Sequence, residues 1–205
     1  NTIDSKESNL SLNLKSGTIN GDVYGSSEKG DVLGSSTINI DNAKIGGSLF
    51  GGNDKSGTTT GDVTINFNSG EITKSLYGGG NLGYESKNNP GTYLNGNINI
   101  NVGLKDTSPT IKESLYGAGK YGSVHKKNAT EENDNQTKIV INNALISGGV
   151  YGGSHGNEEI NPNVYGNVTI DVNGGNIGTL YGGCRNNGTM YGVITANLNS
   201  GIIGD

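Results

Sequence analysis

Residues 63–80, Val-Thr-Ile-Asn-Phe-Asn-Ser-Gly-Glu-Ile-Thr-Lys-Ser-Leu-Tyr-Gly-Gly-Gly, set a pattern that the rest of the chain copies. Val63, Ile65 and Phe67 alternate with Thr64 and Asn66, the two-residue period of a strand with one apolar face. Gly70 permits a sharp bend. Ile72 opens a second short strand and Leu76-Tyr77 a third, which the glycines at 78–80 end. The counterparts of Ile65 are Leu12, Ile38, Ile100, Ile139, Ile170 and Ala196, so that successive reference positions are 26, 27, 35, 39, 31 and 26 residues apart. The basic unit is therefore 26–27 residues, with extra residues inserted in some copies.

Two further columns keep step with the first. Seven residues after the reference stands an aliphatic: Ile19, Ile45, Ile72, Ile146, Ile177 and Ile203, with Ile111 four residues late. Five residues later comes an aromatic: Tyr24, Phe50, Tyr77, Tyr116 and Tyr151, with Tyr181 one residue early. Each aromatic follows a Leu or Val and precedes a glycine. Such a unit cannot bury its apolar face alone. Stacking corresponding strands in parallel solves this and aligns the reference isoleucines in an interior ladder. At about 4.8 Å per unit, the stack would be a rod roughly 30 Å long. Each buried Ile, Leu or Val contributes about 1.5–3 kcal/mol. That offsets the entropy of a backbone with 37 glycines in 205 residues and only 30% hydrophobic residues. Regular aliphatic spacing argues against disorder, and the glycine and β-branched content argues against helix.

Gly-Asp-Val-Thr-Ile-Asn (61–66), Ser-Leu-Tyr-Gly-Gly-Gly (75–80) and Gly-Asn-Val-Thr-Ile-Asp-Val-Asn-Gly-Gly (166–175) resemble the parallel β-helix repeats of large bacterial cell-surface and adhesin-type proteins. The resemblance runs from about Leu10 onward. It implies an all-β, right-handed parallel β-helix of about seven coils, an extracellular or cell-surface location, and no shared catalytic motif. Residues 1–205 are read as one β-solenoid domain, a segment of a longer protein. The single cysteine, Cys184, excludes an internal disulfide framework and fits an export route. A net charge of −5 with one arginine, Arg185, leaves no nucleic-acid footprint, and no apolar run reaches membrane-spanning length.

The extra residues fall between the Tyr-Gly-Gly element and the next first strand, at 78–96, 117–135 and 152–166. They are read as polar loops projecting together from one side. Outward positions of the first strand form a Thr-x-Asn array, interrupted at Lys138 and Val140. It serves either as a ladder of side-chain hydrogen bonds or as an ordered face for a repetitive ligand. The tyrosine column has two readings as well. Tyr77, Tyr116, Tyr151 and Tyr181 either stack on sugar rings or are buried in packing, and Phe50 in the same column favours burial.

Four residues past the aromatics, Lys120, His155 and Arg185 fall on successive units and suit a carboxylate or sulfate. The candidate ligand site is therefore Tyr77, Tyr116, Tyr151, Tyr181, Lys120, His155 and Arg185, and an acidic glycan is the partner expected there. Binding would weaken with salt and tighten below about pH 6.5 as His155 is protonated.

No cofactor is expected. His125, His155, Glu158 and Glu159 lack metal-ligand spacing, and the Asn53-Asp54 and Asn133-Asp134-Asn135 stretches match no calcium motif. The alternative function is a polysaccharide lyase or glycoside hydrolase of β-helix type. It needs clustered carboxylates, whereas Asp62 and Asp171 fall on different units and in different columns. Cys184 has no histidine at a nucleophile's spacing. Asn9, Asn128, Asn135, Asn167 and Asn187 begin Asn-x-Ser/Thr sequons, which the bacterial resemblance implies stay bare.

Overall fold

The computed structural model describes residues 9–83, 91–125 and 135–204. Among these there is no helix, and every strand pairing is parallel. One sheet has seven strands: Leu10–Leu14, Ser36–Ile40, Val63–Phe67, Ile98–Val102, Gln136–Ile141, Asn167–Val172 and Ile194–Leu198, paired in chain order. Their register joins Leu12, Ile38, Ile65, Ile100, Ile139, Ile170 and Ala196, residue by residue. Ile38, Ile65, Ile100, Ile139 and Ile170 are fully buried, so the reference column is the interior ladder that the spacing predicts. This arrangement is compatible with a parallel β-helix.

The second and third strands of each repeat belong to one sheet of eleven strands. Leu145–Tyr151 runs through both positions and joins the Ile19-Ile45-Ile72-Ile111-Ile146 column to the aromatic column. Its pairing with Asn176–Tyr181 shifts register between Ile146 and Gly149. A bulge there absorbs the residue that the next repeat lacks. This is why Tyr181, one residue early in sequence, still pairs with Tyr151.

A third sheet departs from the expectation that residues 78–96, 117–135 and 152–166 are loops. Thr92–Leu94, Ser123–Val124 and Asn163–Tyr165 lie within those stretches and pair in parallel with Gly57–Thr59 and Thr189–Tyr191. Their alternation is too short to read as a period, but stacking supplies it. Thr59, Leu94, Val124 and Val164 point inward and are buried. The parts of those stretches at 84–90 and 126–134 lie outside the described residues, as do sequon Asn128 and the Asn133-Asp134 pair.

Glycine is required in two places by close approach. A Cβ on the glycine after four of the aromatics, at Gly51, Gly78, Gly117 or Gly152, would fall 2.2–2.3 Å from the next repeat's carbonyl oxygen. Gly70, at the bend after the first strand, has φ +112° and would place a Cβ 2.1 Å from the Ala43 carbonyl oxygen.

Candidate functional site

The outward asparagines of the seven-stranded sheet are committed to one another. Asn39, Asn66 and Asn101 each donate a side-chain N–H to the asparagine Oδ1 of the preceding repeat, at 2.8, 2.8 and 2.9 Å. Val140 breaks the run, and Asn197 resumes it by donating to Asp171 at 2.8 Å. A ladder of this kind satisfies the amides without a ligand.

The aromatic column is a continuous stack. Tyr24, Phe50, Tyr77, Tyr116, Tyr151 and Tyr181 follow one another with ring centroids 4.7–5.0 Å apart and planes within 10° of parallel. The parallel sheet sets that spacing, since neighbouring strands are about 4.8 Å apart and equivalent rings must lie face over face. Tyr77, Tyr116 and Tyr151 are thereby buried, which is the packing reading that Phe50 favours; these three rings are not open to a sugar, as their place among the candidate ligand residues requires. Tyr181 ends the stack and is 51% exposed. Beneath the rings runs a column of small residues. Ser48, Ser75 and Ser114 are buried, and the Ser114 hydroxyl accepts the Gly149 N–H at 3.1 Å. Burial pushes the Tyr77 and Tyr116 phenols above their ordinary range.

Lys120, His155 and Arg185 lie on successive repeats in the expected order. The N–H of His155 donates to the Gly119 carbonyl at 3.2 Å, and that of Arg185 to the Ser154 carbonyl at 3.0 Å. Arg185 turns back over the aromatic stack. Its Nη1 donates to the Tyr116 hydroxyl at 2.9 Å, and its guanidinium carbon lies 5.9 Å from the Tyr151 ring centroid. The guanidinium borders a cleft of about 290 Å³ lined also by Ser114, Tyr151 and Thr179.

His155 packs edge-on to Tyr116 at 5.4 Å and to Tyr121 at 6.1 Å. Burial first, then the charges of Arg185 and Lys120, hold its pKa below the usual histidine range. The protonation expected near pH 6.5 therefore moves to lower pH. Lys120 Nζ sits 5.1 Å from the Tyr121 ring centroid. The structure thus brings Arg185, Tyr116, Tyr151 and His155 together, with Tyr181 open beside them. Lys120 belongs to the Tyr121 side of the group, and Tyr77 contributes from inside the stack.

The metal candidates do not converge. His125 is buried, its Nδ1 2.7 Å from the Gly96 carbonyl and its Nε2 2.8 Å from Thr137 Oγ1. Asn53 is buried too. Its Oδ1 accepts the Ser27 N–H at 3.1 Å, and its Nδ2 donates to the Gly30 and Ser56 carbonyls at 3.0 Å. Its amide is thus held in structural bonds. Among the described residues no three His, Cys, Asp or Glu come together to hold an ion. Cys184 accepts the Ser154 N–H at 3.3 Å, lies 3.4 Å from Met190 Sδ, and has its thiol pKa raised by burial. No described helix is long and apolar enough to cross a membrane. Sequence reasoning missed Tyr93 and Tyr165, which lie on short strands of the third sheet, and Tyr121, two residues before Ser123–Val124. The chain matches no protein-family model, no curated protein and no solved structure.

Proposed function

We propose that this chain is a right-handed parallel β-helix of seven coils, acting as a non-catalytic module of a bacterial surface protein. Parallel pairing at separations of 26–39 residues, like residue on like, supports the coil reading. The hand follows from the preference of parallel crossovers, about 98% right-handed, and from the family resemblance. In that role the long stack is a spacer whose lateral face holds an acidic glycan.

The observation that carries the binding role is Arg185. Its guanidinium is oriented by the Tyr116 hydroxyl over the Tyr151 ring, at the mouth of a cleft, with the ring of Tyr181 half exposed at the end of the same stack. A carboxylate or sulfate would meet the guanidinium fork, and a sugar ring would lie on Tyr181. A glycan array of uronate and sulfated glycans tests this, with Arg185→Ala and Tyr116→Phe alongside. Binding is expected to weaken with salt, to be lost in Arg185→Ala, and to be reduced in Tyr116→Phe. Acidic-glycan binding unchanged by Arg185→Ala would refute the site, and no acidic-glycan binding at all would leave the spacer role alone.

A further inference from the structure

The third sheet carries a separate cleft of about 310 Å³. The rings of Tyr93, Tyr121 and Tyr165 wall it, with Ser123 and Asn163 between them and Glu159 on the rim. Strand alternation creates this arrangement. Leu94, Val124 and Val164 turn inward and are buried, which leaves Tyr93, Ser123, Asn163 and Tyr165 facing out. In register with Tyr93 on the next two strands stand Ser123 and then Asn163, so the tyrosines stand beside a low, polar floor. The Asn163 N–H donates to Ser123 Oγ at 3.1 Å, fixing that floor.

The walls are held as well. Tyr165 stacks on Tyr191 with centroids 4.8 Å apart and planes 9° from parallel. Tyr121 is braced by the edge of His155 and by Lys120. The segment bearing Glu159 is pinned by Asn157, whose Oδ1 accepts the N–H groups of Glu159 at 3.0 Å and Ile160 at 2.7 Å.

We propose that this cleft binds a neutral saccharide, at a site independent of Arg185. Its volume lies at the lower end of the range of about 300–1,000 Å³ for small-molecule sites, which suits a mono- or disaccharide unit. A pyranose has apolar C–H faces and a rim of hydroxyls. The tyrosines offer apolar faces with polar tips. The Asn163 amide, the Ser123 hydroxyl and the Glu159 carboxylate offer donors and acceptors at the height of the sugar hydroxyls. The Glu159 carboxylate in the lining disfavours a uronate or sulfate here, the reverse of the Arg185 face.

The test is saturation-transfer-difference NMR on the whole chain with maltotriose, cellotriose, chitotriose and mannotriose, followed by titration of the best binder. Tyr165→Ala removes one wall, and Ser123→Leu fills the floor. Both positions face outward, and the melting temperature of each variant checks that the fold is kept. Affinity is expected to fall about tenfold in Tyr165→Ala, to vanish in Ser123→Leu, and to be unchanged in Arg185→Ala. Absence of transfer from all four neutral trisaccharides at millimolar concentration overturns the proposal. So does equal affinity in folded Ser123→Leu, or preferential binding of a trigalacturonate that persists in Arg185→Ala and is lost in Ser123→Leu. None of these results bears on acidic-glycan binding at Arg185, which the Arg185→Ala variant reads separately.

Discussion

His125 gives the fold a calculable sensitivity to acid. Its ring is fully buried, and the Gly96 carbonyl can only accept, so Nδ1 carries the proton and Nε2 accepts from the Thr137 hydroxyl. Desolvation is the largest influence on this ring and opposes the charged form. The Gly96 bond and the charge of Asp62 act the other way, and the net effect pushes the pKa down from 6.5 to about 4. The histidine therefore stays neutral in the folded chain while the unfolded chain takes up a proton below its own pKa. The folded pKa is the lower one, so the associated stability is complete above pH 6.5 and is lost as pH falls toward 4. Each pH unit in that window is worth about 1.4 kcal/mol. The loss reaches about 2 kcal/mol at pH 5 and about 3 kcal/mol by pH 4. Urea unfolding followed by tyrosine fluorescence, on the parent and on His125→Gln at several pH values, isolates the effect. Carboxylates common to both chains cancel in the difference. The parent's advantage should be constant from pH 8 to 7 and should shrink by about 2 kcal/mol on going to pH 5. A difference that stays flat down to pH 5 would refute the neutral, buried histidine.

Ile65→Asn removes a fully buried rung of the interior ladder and leaves an amide inside, so it should cost several kcal/mol; a thermal melt like the parent's would contradict the observed register. Tyr116→Ala opens the middle of the aromatic stack and should cost about 3–5 kcal/mol, whereas Tyr116→Phe keeps the stacking and should cost about 1 kcal/mol or less, a contrast that denaturant midpoints resolve. Gly70→Ala meets both a positive φ and the Ala43 carbonyl, while Gly17→Ala meets a positive φ and open space. The former should therefore lower the melting temperature clearly more, and equal losses would place the cost in the backbone angle alone. Asn66→Ala interrupts the asparagine ladder between Asn39 and Asn101 and should cost about 1 kcal/mol, read as faster amide exchange in the seven-stranded sheet.

Much of this fold is legible in the chain because a repeat reports its own register. Leu12 to Ala196, Ile19 to Ile203 and Tyr24 to Tyr181 are each one column in the sequence and one row of paired residues in the structure. Translation by one repeat brings like residues together, so spacing alone identifies partners. The position of Arg185 near Tyr151 was legible on the same grounds, despite the shortened repeat, because the bulge in Leu145–Tyr151 restores the register before the aromatic.

Two matters were decided only in three dimensions. Alternation states that Leu76 and Tyr77 point to opposite sides, but not that the second side is also covered. Rings held 4.7–5.0 Å apart cover each other, and that spacing belongs to the sheet rather than to any residue. The third sheet was hidden for a related reason. Segments such as Ser123–Val124 are too short to carry a period, and they become strands only because neighbouring repeats supply partners for their backbone and a core for Val124. The cleft between Tyr93, Tyr121 and Tyr165 follows from that pairing, since residues 28 to 72 positions apart in the chain meet only once the sheet has formed. The sequence by itself determined which residues repeat and which face of each strand is apolar, because those depend on local period. The tertiary structure decided which polar and aromatic faces remain open to a ligand, because that depends on what the stacked neighbours leave uncovered.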